Sequence, residues 1–385
     1  MKRFLSISVF SIMMFALIIS AHAMDYNATA SLSLTEQYND NITLLREHKL
    51  FDYITVISPL ISLSAKGGAG DATISYSPTF NLYNDHSDNN STSQQFNALG
   101  HYKPTDRFSF NVLDNFYESK ESYILRNIEG AGPITNARER VTTNHLGGDV
   151  AYKLSDHFIL TGLGGYDYTV TESGVGDAST YVGGLGLNYV YSSRTTFRVN
   201  GAYTLYDYKN SGNVTSGSYT AGVNYKLSPT IVADAFGGVV QTDLHETSHT
   251  NTAFTGGISI TKNFSRGVAS LAFLQSIIAG LESRVPIRQQ SLSFKYSAPI
   301  TAELEGSLSA FLSHYRSTSS AGIFGSNTDV HDLGGSADLS YRLLSWLSAT
   351  LSYSYVHSID KLTEANGYVN NIVMAGIKLS KQAKF

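Results

Sequence analysis

The sequence predicts an all-β fold: a transmembrane antiparallel up-and-down β-barrel of about 18 strands, with short periplasmic turns and longer extracellular loops. Three observations predict it. Apolar and polar residues alternate with period two nearly end to end, an apolar leader opens the chain, and short and long polar linkers take turns between the alternating segments. Alternation puts apolar side chains on one face of a strand and hydroxyls on the other. A hollow ring with lipid outside and water inside is the simplest object that uses all three.

The leader comes first. Lys2 and Arg3 precede an almost wholly apolar run from Phe4 to Ile19, and Ala21-His22-Ala23 supplies a small-x-small cleavage pattern. This reads as a secretory signal peptide over residues 1–23, followed by a single barrel domain over 24–385 in the outer membrane of a Gram-negative cell. A membrane anchor is the competing reading, and the cleavage pattern together with the lack of a later apolar run argues against it. With no cysteine in the chain, a lipoprotein, disulfides, thiolate metal sites and thiol nucleophiles are all excluded.

Composition agrees with membrane strands. Charged residues are 15% of the chain and mean hydropathy is −0.09, which implies no helical membrane protein. The 25 Tyr suit interfacial girdles, and the 33 Gly relieve crowding in a curved, closed sheet. A net charge of −4 argues against a nucleic-acid partner.

Upward strands are expected at about 27–38, 71–83, 107–118, 157–170, 195–208, 230–242, 266–278, 300–315 and 346–358. Downward partners fall at about 51–65, 93–103, 140–154, 178–192, 215–227, 251–262, 286–297, 329–343 and 367–381. Tiny connections follow the downward strands, among them Pro104-Thr105-Asp106, Ser155-Asp156, Ser228-Pro229 and Leu344-Ser345. Longer polar ones follow the upward strands, as from Asn84 to Thr92. Eighteen satisfies the even-number rule of bacterial barrels, and a weak first pair would leave sixteen.

The faces support closure, because no backbone donor can stay unpaired in hydrocarbon. Ala72, Ile74, Tyr76, Phe80 and Leu82 share one parity, against Thr73, Ser75, Ser77, Thr79 and Asn81 on the other. Pro78 is a misfit that a bulge or strand end would accommodate. Both parities are apolar around Ile54 to Leu63 and Val268 to Phe273, so bulges or register shifts are expected there.

The stretch Leu32 to Ile42, then Ile57-Ser58-Pro59 and Tyr76-Ser77-Pro78, resembles the opening of the β-barrel porin 2 family of Gram-negative outer membranes, and also barrels encoded with exopolysaccharide and protein-sorting systems. The resemblance covers about 60 residues. It implies an outer-membrane barrel for passage of solutes or surface polysaccharide, with polysaccharide-export components as partners, and it carries over no catalytic motif.

The last strand is expected to carry an assembly signal, read as an edge by the barrel-insertion machinery. Gly376 would ease backbone approach and Phe385 would lie on the lipid parity; Lys381 shares that parity near the rim, where a cation can snorkel. The polar parity turns Lys103, Asp149, Lys153, Asp167, Arg198, Lys226, Asp234, Lys295, Glu303, Glu305, Asp338 and Arg342 inward as pore-lining candidates. Their mixed sign suggests hydrated walls without strong ion selectivity, and Glu303 and Glu305, two apart on one face, would be neighbours. In the third outer loop, Ser119 to Glu139, charged Arg126, Glu129, Arg138 and Glu139 mix with Ile124, Leu125 and Ile134. Such apolar residues want a surface, so this loop is expected to fold inward and narrow the pore.

No enzyme, cofactor or metal is expected. The 11 histidines are scattered, and Leu244-His245-Glu246-Thr247-Ser248-His249 echoes a zinc-protease spacing without its helix. The expected function is a porin-like channel for small solutes. The alternatives are an export component for a surface polysaccharide and a surface protein binding through its loops.

Overall fold

The computed structural model describes residues 25–120, 139–174, 177–209, 212–244, 249–278, 287–317, 329–362 and 367–385. The expected signal peptide and its cleavage point lie outside these residues, as do His245 and Glu246.

Eighteen strands form the wall. They are β1 (Asp25–Asn39), β2 (Asp52–Gly67), β3 (Gly70–Tyr83), β4 (Ser91–Tyr102), β5 (Phe108–Ser119), β6 (Val141–Lys153), β7 (Phe158–Thr171), β8 (Ala178–Val190) and β9 (Thr195–Tyr208). Then follow β10 (Gly212–Ser228), β11 (Ile231–Leu244), β12 (His249–Phe264), β13 (Gly267–Ile278), β14 (Ile287–Pro299), β15 (Leu304–Ser317), β16 (Asp329–Leu344), β17 (Leu347–Asp360) and β18 (Tyr368–Lys384). Every strand pairs antiparallel with its neighbours in chain order, and β1 also pairs with β18, with Ala30 opposite Lys381 and Tyr38 opposite Val373. The ring is closed, so each strand has a hydrogen-bonded neighbour on both sides. The first pair is fully built, so the count is eighteen rather than sixteen.

The ladder also fixes the faces. Val199, Leu185 and Tyr219 stand on one parity at 62%, 68% and 62% exposure. Following register partners around the ring carries that parity through Leu163's neighbour Gly162, Val150, Phe110, Tyr102 and Tyr76 to Ile61 and Leu34. This outward face is apolar and, at the short-turn end, aromatic: Phe158 stacks on Tyr189 at 5.0 Å, and Tyr102 meets Phe110 edge-on at 5.6 Å. Lys262, on the outward parity, folds its ammonium over the Phe264 ring at 4.8 Å, a cation held at the level where aromatic girdles sit. Asp114 is an outward exception; its carboxylate is buried and accepts a 2.9 Å bond from Asn144 Nδ2.

Pro78 lies at neither a bulge nor a strand end. Register places it opposite Pro59, and pairing of β2 with β3 is interrupted between Ile57↔Phe80 and Ile61↔Tyr76 without any slip. Neither proline can donate. The Ser77 hydroxyl donates to the Pro59 carbonyl at 2.9 Å instead, and the Ser58 and Thr79 hydroxyls meet at 3.0 Å. The two apolar-on-both-faces segments likewise keep register. The register shifts sit elsewhere, at Lys226/Ser228 and Arg342/Leu344, each beside a short turn.

Candidate functional site: the barrel interior

The interior inherits the polar parity of all eighteen strands. Asp149, Lys153, Asp167, Arg198, Lys226, Asp234, Lys295, Glu305, Asp338 and Arg342 all fall on it by register. Lys103 and Glu303 do not sit within strands. Lys103 follows the end of β4 and pairs with Asp106 at 3.3 Å. Glu303 belongs to a turn, because the Thr301 hydroxyl accepts from the N–H groups of Glu303 and Leu304 at 3.2 and 3.0 Å and delays β15 to Leu304. The expected pairing of Glu303 with Glu305 along one strand face is therefore corrected. Inward charges that escaped the reading of the sequence include Lys66 and Asp71, which face each other across β2 and β3, Asp52 on β2, Asp332 and Asp360 toward the long-loop ends of β16 and β17, and Lys378 on β18. Their parity relative to the neighbouring strands would have found them.

Most interior charges are partnered along the wall. The Arg198 guanidinium donates to both oxygens of Asp234, at 2.5 and 2.6 Å, in a bidentate pair whose partners are each 26% exposed. Asp338 accepts from the hydroxyls of Ser307 at 3.0 Å, Ser336 at 3.3 Å and Ser352. Asn111 bridges His101 at 2.7 Å to Asp149 at 2.9 Å, and His145 bonds Asp167. Such pairing keeps long side chains flat against the wall and leaves space between opposite walls. An 18-stranded ring is wide enough to hold an aqueous passage.

The interior has two hydration levels. Toward the short turns Asp71, Asp149, Lys226, Lys295, Glu305 and Arg342 are exposed. Toward the long loops, among the described residues, every strand except β13 and β15 carries an inward residue less than one-tenth exposed. They are Asn39, Ile54, Tyr83, Ser93, Ser119, Val141, Thr171, Ala178, Tyr208, Val214, Thr242, Thr255, Ile287, Asp332, Ser358 and Tyr368. The wall is desolvated in a collar.

The first outer loop, between β1 and β2, supplies part of that collar. Asp40 accepts from the backbone N–H and the side-chain amide of Asn371 on β18, both at 2.7 Å. Asn41 has no exposed surface; its Nδ2 donates to the carbonyls of Leu45 and Val369, each at 2.8 Å, and its Oδ1 accepts from Leu45 N at 3.1 Å. Ile42 then packs with Ile54, Tyr83 and Val56, all three of them inward-facing, so the loop turns into the ring. Left-handed backbone at Leu44 (φ 53°) and His48 (φ 56°) makes the reversal. This miniature core explains why β2 reads apolar on both parities. Next to it, the buried Asp52 carboxylate accepts from the N–H groups of Asn84, Asp85 and His86 at 2.9–3.1 Å and gathers in the second outer loop.

Of the expected constriction residues, Arg126, Glu129 and Arg138 lie outside the described residues. Glu139 accepts from Ser173 N at 3.0 Å, which joins the third outer loop to the fourth. At the seam, Gly376 faces Thr35 and Thr350. A β-carbon there would stand 2.7 Å from the Leu34 carbonyl oxygen and 2.5 Å from Thr35 Oγ1. Phe385 is 80% exposed and its N–H bonds Tyr26 O at 3.0 Å.

No protein-family model matches the chain, and no curated protein matches it. Among solved structures, Acinetobacter baumannii OccAB4 is 10% identical with a TM-score of 0.49, over 93% of this chain and 98% of that one. Pseudomonas aeruginosa OccK5 (OpdH) is 9% identical at 0.49, over 93% and 98%. Pseudomonas aeruginosa OpdK with vanillate is 10% identical at 0.47, over 92% and 99%. Likeness this distant carries no function across.

Proposed function

We propose that the protein is an outer-membrane channel for small solutes, narrowed at its long-loop end. One observation supports this best: a closed ring with an apolar exterior encloses a wall of exposed charges below a desolvated collar. In the bilayer the apolar face meets outer-membrane lipid, and the interior charges, being of both signs, pass ions with little preference between cations and anions. The inward charges of the wall line the passage; the first outer loop, with the third, sets its bore. The last strand is the element through which the insertion machinery takes up the chain, with Gly376 giving close backbone approach and Phe385 anchoring at the interface.

The test is single-channel conductance of the purified, refolded protein in planar bilayers, with liposome swelling in sugars of graded size. The reading expects discrete conductance steps and a sharp size limit. Folded preparations that pass neither ions nor sugars would overturn it. The polysaccharide-export reading, with its partners, rests only on the Ile-Ser-Pro and Tyr-Ser-Pro segments, which the wall already uses for β2–β3 packing.

A further inference from the structure

At the long-loop rim, β15 and β16 set two imidazoles and a carboxylate side by side. His314 and His331 are register partners, and Asp329, two residues before His331, shares their face. The face is the outward one, continuous with Leu312 and Leu333, so the cluster stands apart from the barrel interior. The two rings stack at 4.1 Å with planes 11° apart. One Asp329 oxygen lies 3.0 Å from His314 Nε2 and 3.4 Å from His331 Nε2, and the three donor atoms all fall within 4.8 Å of one another.

Hydrogen bonding alone does not satisfy this cluster. His314 takes the bond to Asp329, while His331 Nε2 is sealed from solvent and has no hydrogen-bond partner. An orphaned ring nitrogen beside a carboxylate calls for something that both can hold. Side-chain exposures of 26%, 24% and 35% for His314, Asp329 and His331 leave the group reachable from outside.

We propose that His314, Asp329 and His331 form a site for a borderline divalent transition metal of the zinc class, which staples β15 to β16 at the rim. A tetrahedral ion bound at about 2.0–2.2 Å requires donor atoms roughly 3.3–3.5 Å apart. The carboxylate already meets both imidazoles at close to that spacing; ligation requires the two rings, stacked with planes 11° apart, to rotate out of the stack until both Nε2 lone pairs converge on one centre. Water takes the fourth position. Two nitrogens and one oxygen select zinc, copper or nickel over calcium or magnesium, which want oxygen cages. Arg316, opposite Asp329 in register, and Lys361, whose N–H bonds Asp329 O at 3.0 Å, add positive charge nearby, so the ion exchanges rather than being permanently held.

The test is a cobalt(II) titration of the chelator-stripped, folded protein in detergent. One equivalent is expected to give the visible absorption of a tetrahedral N,O site, to be displaced by zinc, and to withstand excess calcium. The double variant His314→Gln/His331→Gln should lose that equivalent, Asp329→Asn should weaken it about tenfold or more, and His101→Gln, in the interior, should keep it. Folding of each variant is checked by its heat-dependent gel migration. A folded double variant that binds the same equivalent with unchanged affinity, or wild-type protein that gives no such absorption, overturns the site.

Discussion

Gly376 shows how much one missing methyl can matter when two backbones must close a ring. A β-carbon there meets the Leu34 carbonyl oxygen, whereas one at Gly68, in the turn after β2, meets nothing within 4 Å. Gly376→Ala should therefore cost about 1–3 kcal/mol by overpacking, and Gly68→Ala almost nothing; urea midpoints of the two refolded variants check the contrast. Asp177 illustrates a different economy. Burial acts to raise its pKa, but the Lys209 ammonium at 2.8 Å and the Thr171 N–H at 3.0 Å outweigh it and hold the carboxyl below its usual 3.8. A depressed folded-state pKa contributes stability above the unfolded value and loses it as pH falls through the folded one. Asp177→Asn should thus weaken the β7–β8 loop at about pH 5 and matter progressively less below 3.8, as read by limited proteolysis at both pH values. A penalty that persists undiminished in acid would rule out the charge as its source.

Strands were the legible elements. Period-two alternation is a local property, and polar turns bound it, so all eighteen were visible in the sequence to within a few residues. What escaped depends on which residue faces which across a ladder. Pro78 alone reads as a fault; with Pro59, nineteen positions earlier, set opposite it, the two make one shared gap that Ser77 patches. Ile54 and Val56 read as a register shift, and Ile42 lying over them is what makes their inward parity apolar. Converting both prolines to threonine should restore donors to the gap and stabilise the barrel by roughly 0.5–1.5 kcal/mol per bond regained, seen as a higher urea midpoint. A fall in that midpoint would mean that the rings are needed for the packing of β2 on β3. The His314–Asp329–His331 group was hidden in the same way, since its two histidines belong to different strands.

For the whole molecule, the proposed channel would have its bore and its selectivity set at different heights. Closure and width followed from counting strands, and the hydrated lower wall from parity, but part of the collar depends on the first outer loop turning into the ring, which no periodicity reports. The narrowest segment of a water-filled passage dominates its resistance and sets its size limit, while charges in a wider vestibule bias which ions arrive. Replacing residues 41–48 with a flexible glycine-serine segment removes Asn41 and Ile42 from the interior, so conductance should rise and larger sugars should enter liposomes. Asp234→Asn, in the exposed lower part, strips the Arg198 guanidinium of its formal counter-charge and should move the reversal potential in a salt gradient toward anion preference while leaving the sugar limit where it was. If Asp234→Asn changes the size limit, or the loop replacement alters selectivity without altering conductance, the two functions are not separated along the axis and the collar is not what sets the bore.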